Sequence, residues 1–340
     1  MDAPRLRYLL LRGSLIAGAN WPVVVAQAIS ESVVRALAGI PLVGAAMLLL
    51  LVSVPNAAPG PAIDSAAAAL TALATVPAAL AGVAVSAIVA ALGAIAFGAV
   101  IKAGTVAVIV AGEARVHAAP AGPLRVPALS VAQAWSRARF TDGCARFGPR
   151  FVRLGLALAV LESGVALGYA TAVVHADRIF VSVTASWWIA PTVMAVSAIA
   201  LALSIVAELG YRLTQLVVVA DDCGILAAMR GAGRFMRRDT LVVARVCVAA
   251  LLLSALTFAI ALVAAAAFGL VSFVPVAGVA VLPLQAAVWV VRGLMLPFID
   301  LAALAAYASV YRAPPAGSLL ERVSPTVLAP RASPAGAPGP

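Results

Sequence analysis

An all-α bundle of about six membrane-spanning helices is the fold class this sequence predicts, and three observations predict it. Of 340 residues, 64% are hydrophobic and 11% are charged, against roughly 25% charged in an ordinary soluble domain. Apolar tracts of about 20 residues recur along the chain, each long enough to cross a hydrocarbon core of ~30 Å. The tracts are rich in Ala and Leu and lack two-residue alternation, so helices rather than barrel strands satisfy the backbone in lipid.

The order of elements follows from charge and from Pro and Gly placement. Residues 1–19 carry Arg5, Arg7 and Arg12 among leucines, and Arg12 interrupts the apolar run that a signal peptide needs, so an amphipathic interfacial helix is expected. The first span follows at 33–54, then a short loop with three prolines. The tract 66–112 reads either as one long helix or as a hairpin. Its small residues Ala74, Ala78, Gly82, Ser86, Ala90, Ala94 and Gly98 recur every four positions, a stripe suited to close helix approach. Residues 113–153 form a long polar segment in which Val131, Ala134, Trp135, Ala138 and Phe140 suggest a second interfacial helix capped by Ser130. Spans are expected at 151–174 and 188–212, with a polar loop from His175 to Ser186 and an interfacial Trp187–Trp188 pair between them. A third basic amphipathic stretch, 225–238, precedes spans at 241–268 and 280–304. Residues 1–312 read as a single membrane domain and the Pro/Ala-rich 313–340 as a disordered tail.

Basic residues orient this series. Eighteen of the 23 lysines and arginines fall in the N-terminal, 113–153, 220–245 and C-terminal segments, and one, Arg178, falls in the intervening loops. The positive-inside rule then puts both termini in the cytoplasm, in a bacterial inner membrane. It also requires 66–112 to cross once, over 78–102, with Lys102 snorkelling towards the cytoplasmic headgroups. A basic amphipathic segment precedes spans one, three and five. ARFGPRFVRLGL (145–156) and AGRFMRRDTLVV (232–243) are alike, either as repeated units or as ordinary positive flanks.

The net charge of +10 is spread over these flanks rather than gathered on one face, which argues against a nucleic-acid partner. The expected partners are membrane lipids, anionic phospholipid above all, held by Arg146, Arg150, Arg153, Arg234, Arg237 and Arg238. Gly164 and Gly168 form a GxxxG that predicts close packing within the chain or between copies, and so a route to self-association or a protein partner.

Ionisable groups inside spans are costly and mark candidate sites. Glu162 and Arg292 both fall near mid-membrane, and the sequence suggests that they meet, as a polar site or as a buried structural pair. Asp300 completes the candidate set, at a helix end or beside an arginine. Glu31–Arg35 and Glu208–Arg212 are four apart on one helix face and are placed near the cytoplasmic headgroups. Asp221 and Asp222 are expected to cap the helix after Gly224. Pro41, Pro77, Pro191 and Pro297 are possible kinks. Cys144, Cys223 and Cys247 show no paired spacing.

No cofactor or catalytic residue is expected. His117 and His175 lie on opposite sides in this topology, which excludes bis-histidine haem and HExxH zinc sites. GxSxG and P-loop patterns are missing from the sequence. The expected function is therefore a non-enzymatic scaffold or lipid-associated module, with a small transporter or permease component as the alternative.

One resemblance stands beside this reading. Val217-Val-Val-Ala-Asp-Asp closes a span, Gly224-Ile-Leu-Ala-Ala-Met-Arg opens an amphipathic helix, and the last span ends in Leu296-Pro-Phe and Tyr307-Ala-Ser-Val-Tyr-Arg312. Over about residues 205–312 this resembles the six-span proteins related to the membrane domain of glycerophosphodiester phosphodiesterases. That family's serine before span five is replaced by Gly or Ala here. The resemblance implies a fold and carries over no catalytic residue, since the family's separate catalytic domain has no room in the chain.

Overall fold

The computed structural model describes residues 3–53, 77–118, 129–180, 189–271 and 275–313. They form an all-α bundle. Helix α1 spans Ala3–Ala19, α2 Trp21–Ser53 and α3 Pro77–Ala118. The one-turn α4 (Leu129–Ala132) is followed by α5 (Arg137–Phe180) and α6 (Ile189–Ala220). The chain closes with α7 (Ile225–Arg238), α8 (Thr240–Val271) and α9 (Pro275–Arg312). Among the described residues five helices are long and apolar enough to cross a membrane, or six if the bent pair α1–α2 forms one span. This is the build of a multi-pass membrane protein.

Proline sets several starts. Pro77 and Pro275 are the first residues of α3 and α9, and Pro22 and Pro191 lie in the first turns of α2 and α6. A helix leaves its first N–H groups unbonded in any case, so proline costs nothing there. Pro77 and Pro191 thus stand in the first described turns of their helices, whereas Pro41, Pro149, Pro283 and Pro297 lie inside helices.

Three hairpins, α2/α3, α5/α6 and α8/α9, build the bundle, and their second helices α3, α6 and α9 touch one another at its centre. Each hairpin is introduced by a basic segment. Helix α1 meets α2 at 83°, α7 meets α8 at the break around Asp239, and the basic start of α5 runs into its apolar part without a break. The tract that the sequence left between one helix and a hairpin is a single continuous helix from Pro77 onwards; residues 66–76, the loop after Ser53, Trp187–Trp188 and the C-terminal tail lie outside the described residues. Helix α5 continues through His175 to Phe180, where the sequence suggested a loop.

The small-residue stripe is closely packed at its far end, where Ala94 is buried and a Cβ on Gly98 would lie 3.3 Å from Val34 of α2, but the tightest helix approach falls elsewhere. A Cβ on Gly82 would meet open space, whereas one on Gly143 would lie 2.7 Å from the Ala107 Cβ, and one on Gly104 2.8 Å from the Phe140 carbonyl. Helices α3 and α5 therefore cross backbone to backbone at Gly104 and Gly143. Ala74 lies outside the described residues. Gly13 brings α1 equally close to α9, because a Cβ there would collide with the Ala302 carbonyl.

The core sits at one end of the bundle, where the basic segments gather. Ile16, Val23, Val106, Ile109, Phe151, Leu213, Leu216 and Leu301 are essentially fully buried there. In the opposite half, Val160, Leu167, Met194, Val263 and Leu270 are each more than two-thirds exposed. Such a surface is unfavourable in water and suited to acyl chains.

Candidate functional site

Between the packed end and the apolar half lies a cavity of about 510 Å³, lined from α2, α3, α5, α6, α8 and α9. Seven ionisable side chains face it: the carboxylates of Glu31, Glu162, Glu208 and Asp300, and the cations of Arg35, Lys102 and Arg212. Ser204, Ser254, Cys247 and Tyr307 add polar groups, and Leu209, Leu251, Leu296 and Ile299 supply an apolar wall.

Each central helix contributes charge to its middle. Asp300 of α9 pairs with Arg212 of α6 and has Lys102 of α3 at 3.9 Å. Arg212 also donates through Nε to Glu208 Oε1 at 2.8 Å. Lys102 Nζ lies 5.3 Å from the centre of the Tyr211 ring, a cation–π contact that further holds the ammonium. At the rim, Arg35 donates to Glu31 at 3.1 Å, and Gln27 Nε2 donates to the same carboxylate at 3.3 Å. Glu162 stands apart. Its Oε2 accepts from Ser204 Oγ at 2.8 Å, and among the described residues no cation pairs with it.

The structure redistributes the candidates read from sequence. Glu162 and Asp300 do line one cavity, but Arg292 does not join them. It lies eight residues, about 12 Å, further along α9 from the packed end than Asp300. Its guanidinium sits over Phe258 at 4.7 Å and Trp289 at 5.2 Å. The expected Glu162–Arg292 meeting is therefore not formed. Lys102 does not snorkel: α3 runs on for a further sixteen residues to Ala118, about 24 Å, so its ammonium pairs inside the bundle. Glu208–Arg212, placed near headgroups from sequence, instead extends the central charge cluster.

A second set of polar contacts locks the packed end. Glu113 of α3, fully buried, receives both Nη2 (2.5 Å) and Nε (3.3 Å) of Arg12 from α1. Asn20, at the α1–α2 corner and fully buried, uses its whole amide. Nδ2 donates to the Ile16 and Ala132 carbonyls at 2.9 and 3.0 Å, and Oδ1 accepts from the N–H of Ala134 and Trp135 at 2.8 and 2.9 Å. Those two backbone groups are thereby withdrawn from helix bonding. The expected interfacial helix around Ala134 is accordingly broken at 133–136, and it is Ser136, rather than Ser130, that meets a helix start, accepting from the Arg139 N–H at 3.2 Å.

Asp221 and Asp222 do not cap α7, whose first turn has no side-chain cap. Asp221 accepts from the Tyr311 hydroxyl at 2.6 Å. Asp222, held in the left-handed region at φ 46° that Asp tolerates better than most residues, accepts from Arg146 and, at 3.0 Å, from Arg150. Hydrogen bonds from these two guanidinium groups hold its carboxyl below the usual carboxylate range. Two of the six arginines assigned to lipid from sequence are therefore engaged within the chain. Arg238 likewise pairs with Asp239, while Arg153, Arg234 and Arg237 are exposed. Gly164 and Gly168 face open space in a groove between α5 and α6, so they pack no helix of this chain.

Among the described residues no group of His, Cys, Asp and Glu has the arrangement of a metal site. Compared with known proteins, the chain matches no family model, no curated protein and no solved structure.

Proposed function

We propose that this chain is a small permease or the membrane-embedded binding component of a transport system, and that it accepts a polar ligand in the cavity between its three hairpins. One observation carries the reading: seven ionisable side chains from five helices converge on one void within apolar helices. Ionisable groups in a bilayer are expensive, and their gathering around a cavity is the pattern expected of a ligand or ion path. The volume falls in the range of small-molecule sites, roughly 300–1,000 Å³. A bundle built only as a scaffold would fill such a space with apolar side chains at lower cost. In this reading the basic packed end faces the cytoplasm of a bacterial inner membrane, no covalent chemistry is performed, and the resemblance over 205–312 bears on fold alone.

Cys247 of α8 tests the reading, because it lines the cavity and is only partly buried. With Cys144 and Cys223 replaced by alanine, a small water-soluble, lipid-insoluble thiol reagent is expected to label Cys247 in folded protein in nanodiscs. A thiol that reacts only after unfolding contradicts a wet cavity and favours the scaffold.

A lipid-associated role has its own support. The outward face of α7 carries Leu226 and Met229, both more than half exposed, beside the exposed Arg230, Arg234 and Arg237. Apolar residues flanked by arginine suit an interface rich in anionic headgroups. The expected result is weaker association with anionic than wild type when these three arginines are changed to glutamine, with unchanged association to neutral nanodisc lipid.

A further inference from the structure

We infer that the cavity's ligand is a monovalent organic cation, an ammonium group on an apolar body, whose charged end binds at Glu162. The inference rests on the binding-cavity reading and deepens it.

Charge balance is the first argument. Glu31 is matched by Arg35, Glu208 by Arg212, and Asp300 by Lys102 together with the shared Arg212. Three cations answer three carboxylates, and among the described residues the fourth, Glu162, meets only the neutral Ser204 hydroxyl. An unmatched carboxylate flanked by lipid-facing helices carries a large solvation cost, and one positive charge removes it. A second carboxylate-bearing or phosphate-bearing ligand would add to the excess negative charge.

The shape of the site narrows the cation. A void of about 510 Å³ greatly exceeds the needs of a proton or a bare alkali ion. Its wall beside the charges is Leu209, Leu251, Leu296 and Ile299, which offers an organic body apolar contact. Ser204 Oγ gives its proton to Glu162 and keeps its lone pairs, so carboxylate and hydroxyl together present acceptors to an N–H group. Arg292, a further cation within an apolar helix, is held over two aromatic rings elsewhere and does not neutralise Glu162.

The test uses the full chain in nanodiscs and radiolabelled phenethylammonium as probe. Saturable binding is expected, displaced by unlabelled phenethylammonium but not by the neutral 2-phenylethanol or the anionic 3-phenylpropionate. Glu162→Gln is expected to weaken binding at least tenfold, as for loss of a charge-assisted contact, while Glu162→Asp retains most of it and Ser204→Ala, which keeps the charge, loses only a few-fold. Cys247 labelling, measured on every variant, reports whether the cavity is intact. Equal displacement by the neutral alcohol, preference for the anion, or a Glu162→Gln variant that binds like wild type would each overturn the assignment. A labelled Cys247 with no probe binding defeats the cation assignment and leaves the cavity reading standing, whereas an inert Cys247 with no binding defeats both.

Discussion

The two ends of this bundle are held together by different physics. At the basic end, helices cross at glycine, buried side chains interdigitate, and polar groups such as Asn20 and Glu113 are fully matched across elements distant in sequence. In the other half the helices run on with apolar side chains turned outward. The difference teaches where specificity resides. Lipid solvates apolar side chains as well as a neighbouring helix does, so the outer half has little driving force to pack. The basic end has buried hydrogen bonds that only one arrangement satisfies. The charged cavity lies where one regime gives way to the other.

Substitutions at the two ends should therefore differ sharply. The largest effect is expected at the Arg12–Glu113 bridge. Arg12→Met leaves a buried carboxylate unpaired and should cost about 3–5 kcal/mol, with much of the loss recovered in the Arg12→Met/Glu113→Met double variant. Chemical unfolding in detergent measures both, and a double variant as unstable as the sum of the singles would break the assignment. Next comes glycine. Gly13→Ala drives a methyl into the backbone of α9 and should cost about 3 kcal/mol. Gly168→Ala, in open space on α5, should be neutral or stabilising by up to about 1 kcal/mol. Thermal unfolding in the opposite order would erase the contrast between the halves.

Asn20→Ala orphans the buried Ala134 N–H and the partly buried Trp135 N–H and should destabilise by about 2–3 kcal/mol. Thr257→Ala, whose hydroxyl bonds to the Leu253 carbonyl one turn back on exposed α8, should stay within about 0.5 kcal/mol. Similar losses at the two sites, read by unfolding, would argue against a specifically locked basic end. The smallest effect belongs to Asp222, on the surface. Its carboxyl is held below its ordinary range in the folded protein, so its contribution is fully present above the unfolded value of about 4 and is lost as pH falls from there through the folded value. The stability gap between wild type and Asp222→Asn should be flat from neutral pH down to about pH 4 and should close below it. A gap that widens on acidification would contradict the Arg146 and Arg150 contacts.

The fold class was legible in the sequence because hydrocarbon leaves the backbone few choices, and long apolar tracts declare themselves. The basic amphipathic segments were equally plain from their arginines. The site was only half legible. Depth along a span can be counted, and it singled out Glu162 and Asp300, which both line the cavity, but rotation about the helix and choice of neighbour cannot. Arg292 has comparable depth by counting, yet its guanidinium lies on Phe258 and Trp289. Lys102 was expected to turn towards headgroups, but its helix continues to Ala118 and its ammonium meets Asp300 and the Tyr211 ring. The available signal was that four cations sit inside apolar tracts; three of them, Arg35, Lys102 and Arg212, line the cavity. Asn20 gave no local sign, since its main partners are 112 to 115 residues away. The expected Asp cap failed for a similar reason: Asp222 has stronger partners on α5 than the backbone of α7 could offer.

The convergence of charge from separate hairpins is the claim on which the rest depends, and Arg212 with Asp300 states it most directly. A double-mutant cycle of Arg212→Gln and Asp300→Asn, followed by unfolding in nanodisc-matched detergent, measures their coupling. A coupling of at least about 1 kcal/mol is expected for residues in one ion-pair network. Additivity within about 0.5 kcal/mol would show that α6 and α9 do not bring these charges together.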